Sequence, residues 1–236
     1  GAHGGFLLEC LVSNQAIIAA GWNRLKGIRQ PVDRQVACLY ICSTFTLIGL
    51  LGFKDDRMTT VRDQHASQLP PPTLEEVSPD IYAYVQLDGS WGLNNTGFIK
   101  ALDGLILIDT CFTEARTKAY LKAVRRVSSL PMKTLINTHH HGDHTHGNYL
   151  VSEAAIIGHE LCRQTVIETG LQALHPLFPN VDWGDLELAP PFVTFNDRMD
   201  LYSGDLKIEL IFMGPAHTTN DIVAWLPDRK LLFAGD

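Results

Sequence analysis

The sequence predicts an α/β domain of two packed sheets with helices outside them, occupying residues 80–236. Two features carry the prediction. Short apolar, β-branched runs of strand length recur along this span, and two helix-forming segments interrupt them, with turn residues between. The span is long enough to bury one core.

The elements follow in chain order. Ile81–Leu87, Gly97–Ala101 and Leu105–Asp109 read as strands, and the segment from Leu87 to Gly92 between the first two reads as a hairpin tip. Trp91 in that tip has two readings of equal standing: an aromatic that stacks on an apolar substrate group, or one that packs down on the sheet. Glu114–Val127 reads as an amphipathic helix, Lys133–Thr138 as a buried strand and His159–Glu168 as a second helix. Residues 170–191, rich in Pro and Leu, form a long connection, open between a functional flap and a plain surface loop. Strands return at Phe192–Phe195, Leu206–Phe212, Ile222–Trp225 and Leu231–Ala234, with Asp205 in a hairpin turn.

Upstream, residues 58–79 read as a linker containing Pro70-Pro-Pro72. Residues 1–57 read as an extension. Val36–Phe53 is an uncharged apolar run between Arg34 and Lys54, just long enough for a single transmembrane segment but weakened by two cysteines, two glycines and several hydroxyls. The preferred expectation is a native start at Met58, with the upstream residues non-native. On that reading the protein is cytoplasmic; membrane anchoring through 36–53 is the alternative.

The chemistry concentrates at 138–148, Thr-His-His-His-Gly-Asp-His-Thr-His-Gly-Asn, where five of the ten histidines fall within eight positions. The segment leaves the end of a predicted strand, where binding groups are commonly placed. In an extended exit His139 and His141 share a side while His140 points away. A turn at Gly142 then lets Asp143 and His144 approach the same point. Imidazole and carboxylate without thiolate suit zinc, and also manganese or iron. Gly147-Asn148 is placed to open a helix. His140 and His146 stand evenly between structural and exposed roles, and His3, His65, His159 and His175 carry no signal.

The pattern His139-x-His141-x-Asp143-His144 resembles the signature of the metallo-β-lactamase superfamily, whose members share an αββα sandwich with a metal site between the sheets. Gly214-Pro-Ala-His217-Thr-Thr-Asn-Asp221 is similar to the family loop that brings a third histidine. Leu231–Asp236 resembles the strand end that delivers a bridging carboxylate, and Leu105–Thr110 the strand whose aspartate braces the histidine loop. The resemblance implies one metal on His139, His141 and His217, a second on Asp143 and His144, and Asp236 bridging them. It implies Asp109 as acceptor of a ligand imidazole N–H and Asp143 also as the catalytic group that orients or deprotonates water. Asp221 reads as a turn residue or as a brace for a ligand rather than as a ligand itself.

The same resemblance implies zinc, two ions per complete protein, with Fe or Mn as alternatives. Family members that bind two metals usually supply a further histidine beyond the bridging aspartate, so the domain is expected to be C-terminally incomplete at Asp236. In the β-lactam-hydrolysing branch a cysteine often stands at this strand end. Asp236 looks more like the glyoxalase, lactonase and related hydrolase branches.

The expected activity is metal-dependent hydrolysis of a small ester, thioester, lactone or amide, β-lactams included. The alternatives are a mononuclear iron oxygenase or redox protein on the same fold, and a catalytically silent binding module. Residues 58–236 hold 13 Lys/Arg against 22 Asp/Glu, a poor balance for nucleic acid, so a small-molecule substrate is expected. Cys111 and Cys162, the only thiols after Met58, have no CxxC spacing and fit a reducing compartment.

Overall fold

The computed structural model describes residues 37–39, 71–86, 92–171, 178 and 180–236. The hairpin tip at 87–91 with Trp91, the apolar run 36–53 apart from residues 37–39, the Met58 region, His3, His65 and His175 lie outside the described residues. Among the described residues no helix is long and apolar enough to cross a membrane.

Two sheets carry the fold. The larger takes its strands in chain order: β2 (Thr73–Ser78), β3 (Ile81–Val85), β4 (Thr96–Lys100), β5 (Leu105–Ile108), β6 (Met132–Ile136), β7 (Ala155–His159) and β8 (Val193–Phe195). Pairing is antiparallel as far as β5 and parallel from β5 to β8. The smaller sheet runs β1 (Ala37–Leu39), β12 (Leu231–Phe233), β11 (Ile222–Leu226), β10 (Leu206–Phe212), β9 (Arg198–Ser203), with β1 parallel to β12.

The core lies between the sheets. Ile81, Ile99, Ile108, Ile136 and Ile157 from the larger sheet cluster with Ile208, Leu210, Ala224 and Phe233 from the smaller. Because side chains alternate along a strand, Phe98, Leu105, Leu107 and Leu135 face the other way. There Tyr120, Ala123 and Val124 of helix α1 (Glu114–Val127) cover them. β5 is thus buried on both faces, which is why it reads as the unbroken apolar run Leu-Ile-Leu-Ile. Thr113 caps α1 by accepting from the Arg116 N–H, and the Tyr120 hydroxyl donates to the Gly97 carbonyl at 2.6 Å.

Several boundaries differ from the sequence reading. The span 58–79, read as linker, includes β2, an edge strand whose polar residues Glu75 and Glu76 leave no apolar alternation to read. β7 and β9 are further strands. β7 hides because its Ala-Ile-Ile run adjoins a helix start, whereas β9 carries the alternation of a strand, Met199 and Leu201 against Arg198 and Asp200, with only two apolar positions to show it. A short helix, α2 (Gly142–Thr145), precedes the helix expected at His159–Glu168, which is α3 (Glu160–Thr169) with His159 as its N-cap, accepting from the Leu161 N–H. The last parallel strand starts at Val193, with Phe192 exposed. After Gly147 the chain forms only a 3-10 turn, Asn148–Val151.

Candidate metal centre

Parallel register places the site. β5 and β6 run side by side with Ile108 opposite Ile136, so the residues after them leave the sheet together at the carboxyl ends of the strands. Asp109 leaves β5 at φ 57°, a left-handed conformation that Asp tolerates better than most residues. His139 follows β6 by three positions, and the short helix α2 (Gly142–Thr145) carries Asp143 and His144. His217 arrives on the loop between β10 and β11, and Asp236 follows β12. The Ile222 N–H donates to the Thr138 carbonyl at 2.9 Å, tying the start of β11 to the histidine segment.

Two glycines are required. A Cβ on Gly142 would lie 2.4 Å from the His146 ring, which stacks on Phe112 at an 8° interplanar angle. Gly235 turns the chain at φ 70°, and its own Cβ would meet the Thr138 hydroxyl at 2.8 Å. Larger residues at these positions would push the histidine segment away from its partners.

The hydrogen bonds fix proton positions. Asp109, fully buried, accepts from the Thr138 N–H at 2.7 Å, the Thr138 hydroxyl at 2.7 Å and His144 Nδ1 at 2.8 Å. The carboxylate has only acceptors, so His144 carries its proton on Nδ1 and presents the Nε2 lone pair inward. The Thr138 hydroxyl has one proton and gives it to Asp109. His139 Nδ1, 3.1 Å from that hydroxyl, must therefore be the donor in its contact, which leaves Nε2 as a bare acceptor.

These two lone pairs support a cation. His139 Nε2 is buried with no hydrogen-bond partner, a rare condition for a polar atom in a folded interior. His144 Nε2 lies 3.1 Å from Asp236 Oδ1, two acceptors face to face that need a proton or a metal ion between them. His217 Nε2 sits 3.0 Å from His141 Nδ1 and 3.6 Å from Asp236 Oδ2. Two groups of donor atoms result, each within 4.8 Å: His139, His141 and His217, and His139, His144 and Asp236. Asp143 belongs to neither group; its Oδ2 is 3.7 Å from His144 Nε2. Donor types and closeness fit a metal ion of the zinc class.

Electrostatics agree with the geometry. Burial, reinforced by the neighbouring histidines, pushes His139 well below the ordinary histidine range, and burial takes His141 down to about 3. Both are neutral ligands at physiological pH. Burial opposes charge on His144, yet the carboxylates of Asp236, Asp109 and Asp143 raise it well above its ordinary value, so without a cation His144 holds a second proton on Nε2 against Asp236, and a metal ion would take that proton's place. Burial raises the Asp143 carboxyl.

Residues without any sequence signal brace the centre. The His144 carbonyl accepts from the Thr110 N–H, the Thr110 hydroxyl and Asn137 Nδ2, while Asn148 Nδ2 donates to Asn137 Oδ1 at 2.8 Å. Asn220 Oδ1 accepts from the His140 N–H at 3.0 Å, which orients the amide, so its Nδ2 donates to His140 Nδ1 at 2.9 Å. His140 is thereby held with its proton on Nε2. A polar residue just past a strand end is the only hint these positions offer.

The remaining sequence candidates have structural duties. His146 hydrogen-bonds the Phe112 carbonyl, and His159 stacks on Phe212. Asp221 accepts from the Ala216 and Thr218 N–H groups and the Thr218 hydroxyl, as a turn residue does. Within the long connection, Trp183 packs edge-on against Phe112, and its carbonyl accepts from the Glu114 N–H.

Comparison with known proteins adds three results. A family model described as the metallo-beta-lactamase superfamily matches residues 89–236. Similar sequences include the linear primary-alkylsulfatase of Pseudomonas sp. (strain ATCC 19151), 23% identical over 58% of this chain and 32% of that protein, and the metallo-beta-lactamase type 2 of Bacillus cereus, 24% identical over 69% of this chain and 59% of that protein. The chain thus spans about a third to three-fifths of the length of these curated relatives. Among solved structures, a metallo-beta-lactamase from Pontibacter korlensis superposes with a TM-score of 0.55 at 22% identity, covering 69% of this chain and 70% of that one. This likeness concerns the fold.

Proposed function

Because the chain belongs to the metallo-β-lactamase superfamily, we propose that it is a metal-dependent hydrolase that cleaves a small ester, thioester, lactone or amide, β-lactams included. The observation that carries this reading is the pair of donor groups sharing His139, whose buried Nε2 meets no hydrogen-bond partner. Metal bound there would polarise the substrate oxygen and lower the pKa of a coordinated water.

The protein's own residues have separable roles. His139, His141 and His217 would hold one ion. His144 and Asp236 would contribute to a second, with Asp143 approaching from α2 and Asp236 reaching both groups. Asp143 Oδ2 would orient the attacking water and carry its proton to the leaving group. Asp109 keeps the His144 lone pair aimed inward, and Thr138 does the same for His139. Zinc is the ion this donor set favours, with Fe or Mn as alternatives. The acidic balance of residues 58–236 supports a small-molecule substrate over nucleic acid, and the buried free thiols Cys111 and Cys162 support a reducing compartment such as the cytoplasm.

One observation favours a second reading. The three-histidine group is complete without Asp143, which suits a single iron and oxygen chemistry. Elemental analysis of the full-length protein purified without added metal, beside His139→Ala, tests both. About two zinc equivalents, lost in the variant, support the hydrolase. About one iron equivalent moves the reading to oxygen chemistry, and a protein without bound metal refutes both.

A further inference from the structure

A cavity of about 190 Å³ opens against the histidine segment. His141 belongs both to its lining and to the three-histidine donor group, so a molecule in the cavity sits within one side chain of the candidate metal. Apolar lining comes from α3 and the two segments after it: Val166, Leu171, Leu188 and Ala189. Glu187 is the one carboxylate of the lining, and neither Lys nor Arg takes part among the described residues.

Size and charge together define an occupant. A cavity of roughly 150 Å³ holds benzene, so by volume this one accommodates a chain of a few carbons against Val166, Leu171, Leu188 and Ala189, with His140, Thr145 and His146 also lining it. A carboxylate at the end of the cavity away from His141 would lose water, meet no Lys or Arg among the described residues and approach Glu187, all unfavourable. We propose that this cavity is the acyl subsite of the hydrolase, taking a compact, uncharged apolar acyl chain of about four carbons and disfavouring one that ends in a carboxylate. The proposal rests on the hydrolase reading and narrows its substrate class.

Thr169 gives a clean test, because it is exposed on the last turn of α3, lines the cavity and donates its hydroxyl to the Thr165 carbonyl within the helix. In the metal-loaded protein, kcat/KM is measured for the p-nitrophenyl esters of acetate, butyrate and hydrogen succinate. Butyrate is expected to exceed succinate by about tenfold or more. Thr169→Trp should lower the butyrate value about tenfold relative to acetate with metal content and melting temperature unchanged, and Glu187→Lys should raise succinate about fivefold. Equal use of butyrate and succinate, or equal loss on acetate and butyrate in Thr169→Trp, overturns the proposal.

If no ester is turned over, amide NMR titration with n-butyramide separates the two claims. Shifts at Val166 and Ala189 in the wild type that vanish in Thr169→Trp keep the subsite and sink the hydrolase reading. Their absence in the wild type sinks the subsite.

Discussion

Asp109→Asn removes one charge and exchanges one acceptor for a donor at the buried junction of β5 with the histidine segment. The left-handed φ of 57° does not confound the change, because Asn tolerates that conformation as Asp does. Asp109 receives three donors, the Thr138 N–H, the Thr138 hydroxyl and His144 Nδ1–H. An amide has a single oxygen, so either orientation leaves at least one of these facing an NH2 group. A buried hydrogen bond to a charged group is worth about 1.5–3 kcal/mol, and a stranded donor costs about 1–3 kcal/mol. The expected loss is therefore about 3 kcal/mol, out of a typical total of about 5–15 kcal/mol. With a urea slope near 2 kcal/mol/M, the midpoint should fall by about 1.5 M. His144 would also be released to place its proton on Nε2, so metal affinity should drop about 10–100-fold, read by competition with a chromogenic chelator. A midpoint within about 0.3 M of wild type together with unchanged chelator competition would refute the proton assignments.

Three further expectations follow from the same geometry. Gly142→Ala should destabilise by about 2 kcal/mol through contact with the His146 ring and weaken metal binding; thermal melts with His146→Ala as second member of a double-mutant cycle should show partial rescue, and additive losses would sink the steric account. Asn220→Leu should strand the half-buried His140 N–H, cost about 1 kcal/mol and release His140 from its Nε2–H form; ¹⁵N correlation spectra of the ring report the tautomer, and an unchanged pattern would refute the clamp. Burial pushes the Cys111 thiol up to about 11 and also raises Cys162, so at pH 8 only about one Cys111 in a thousand is ionised. Mass spectrometry after iodoacetamide should find both unlabelled until denaturant is added, and rapid labelling of the native protein would contradict their burial.

How much of this was legible depended on whether a residue acts through its own side-chain chemistry or through a neighbour's backbone. Helix Glu114–Val127 was readable because an amphipathic pattern coincides with a Thr cap and a Ser stop. The Leu105–Ile108 run was readable because burial on both faces leaves no polar positions. β2 and β9 were obscured by the reverse condition, since their solvent faces dilute a pattern that only pairing with β3 and β10 completes. β7 was hidden because its Ala-Ile-Ile run leads directly into the start of α3.

At the centre, four of the six candidate ligands stood out because they crowd into positions 139–144, and His217 and Asp236 were legible only through the motifs around them. Asn137, Thr138, Asn148, Thr110 and Asn220 were not, because each works by bonding a carbonyl, an N–H or another amide that only the folded chain brings near. Asp109 stood between these cases, a carboxylate at a strand end whose use required the register of β5 on β6.

That division also explains why this centre is costly to the fold unless it binds something. A hydrophobic core gains stability from each group it buries, whereas His139 Nε2 is buried with no partner and His144 Nε2 faces a carboxylate oxygen of Asp236 across 3.1 Å, a contact that needs a proton or a metal ion. Satisfying Asp109 with three donors determines the His144 tautomer, and the Thr138 proton determines that of His139. The bracing that stabilises the outer layer therefore creates the unsatisfied inner one. A protein binding no cation would be expected to lose this arrangement by any substitution that turns one lone pair into a donor. Titrating metal into the protein should accordingly raise its unfolding free energy in step with occupancy, by about 4 kcal/mol at a thousandfold excess over Kd. His139→Ala should abolish the increment, and a melting curve insensitive to metal would refute the reading.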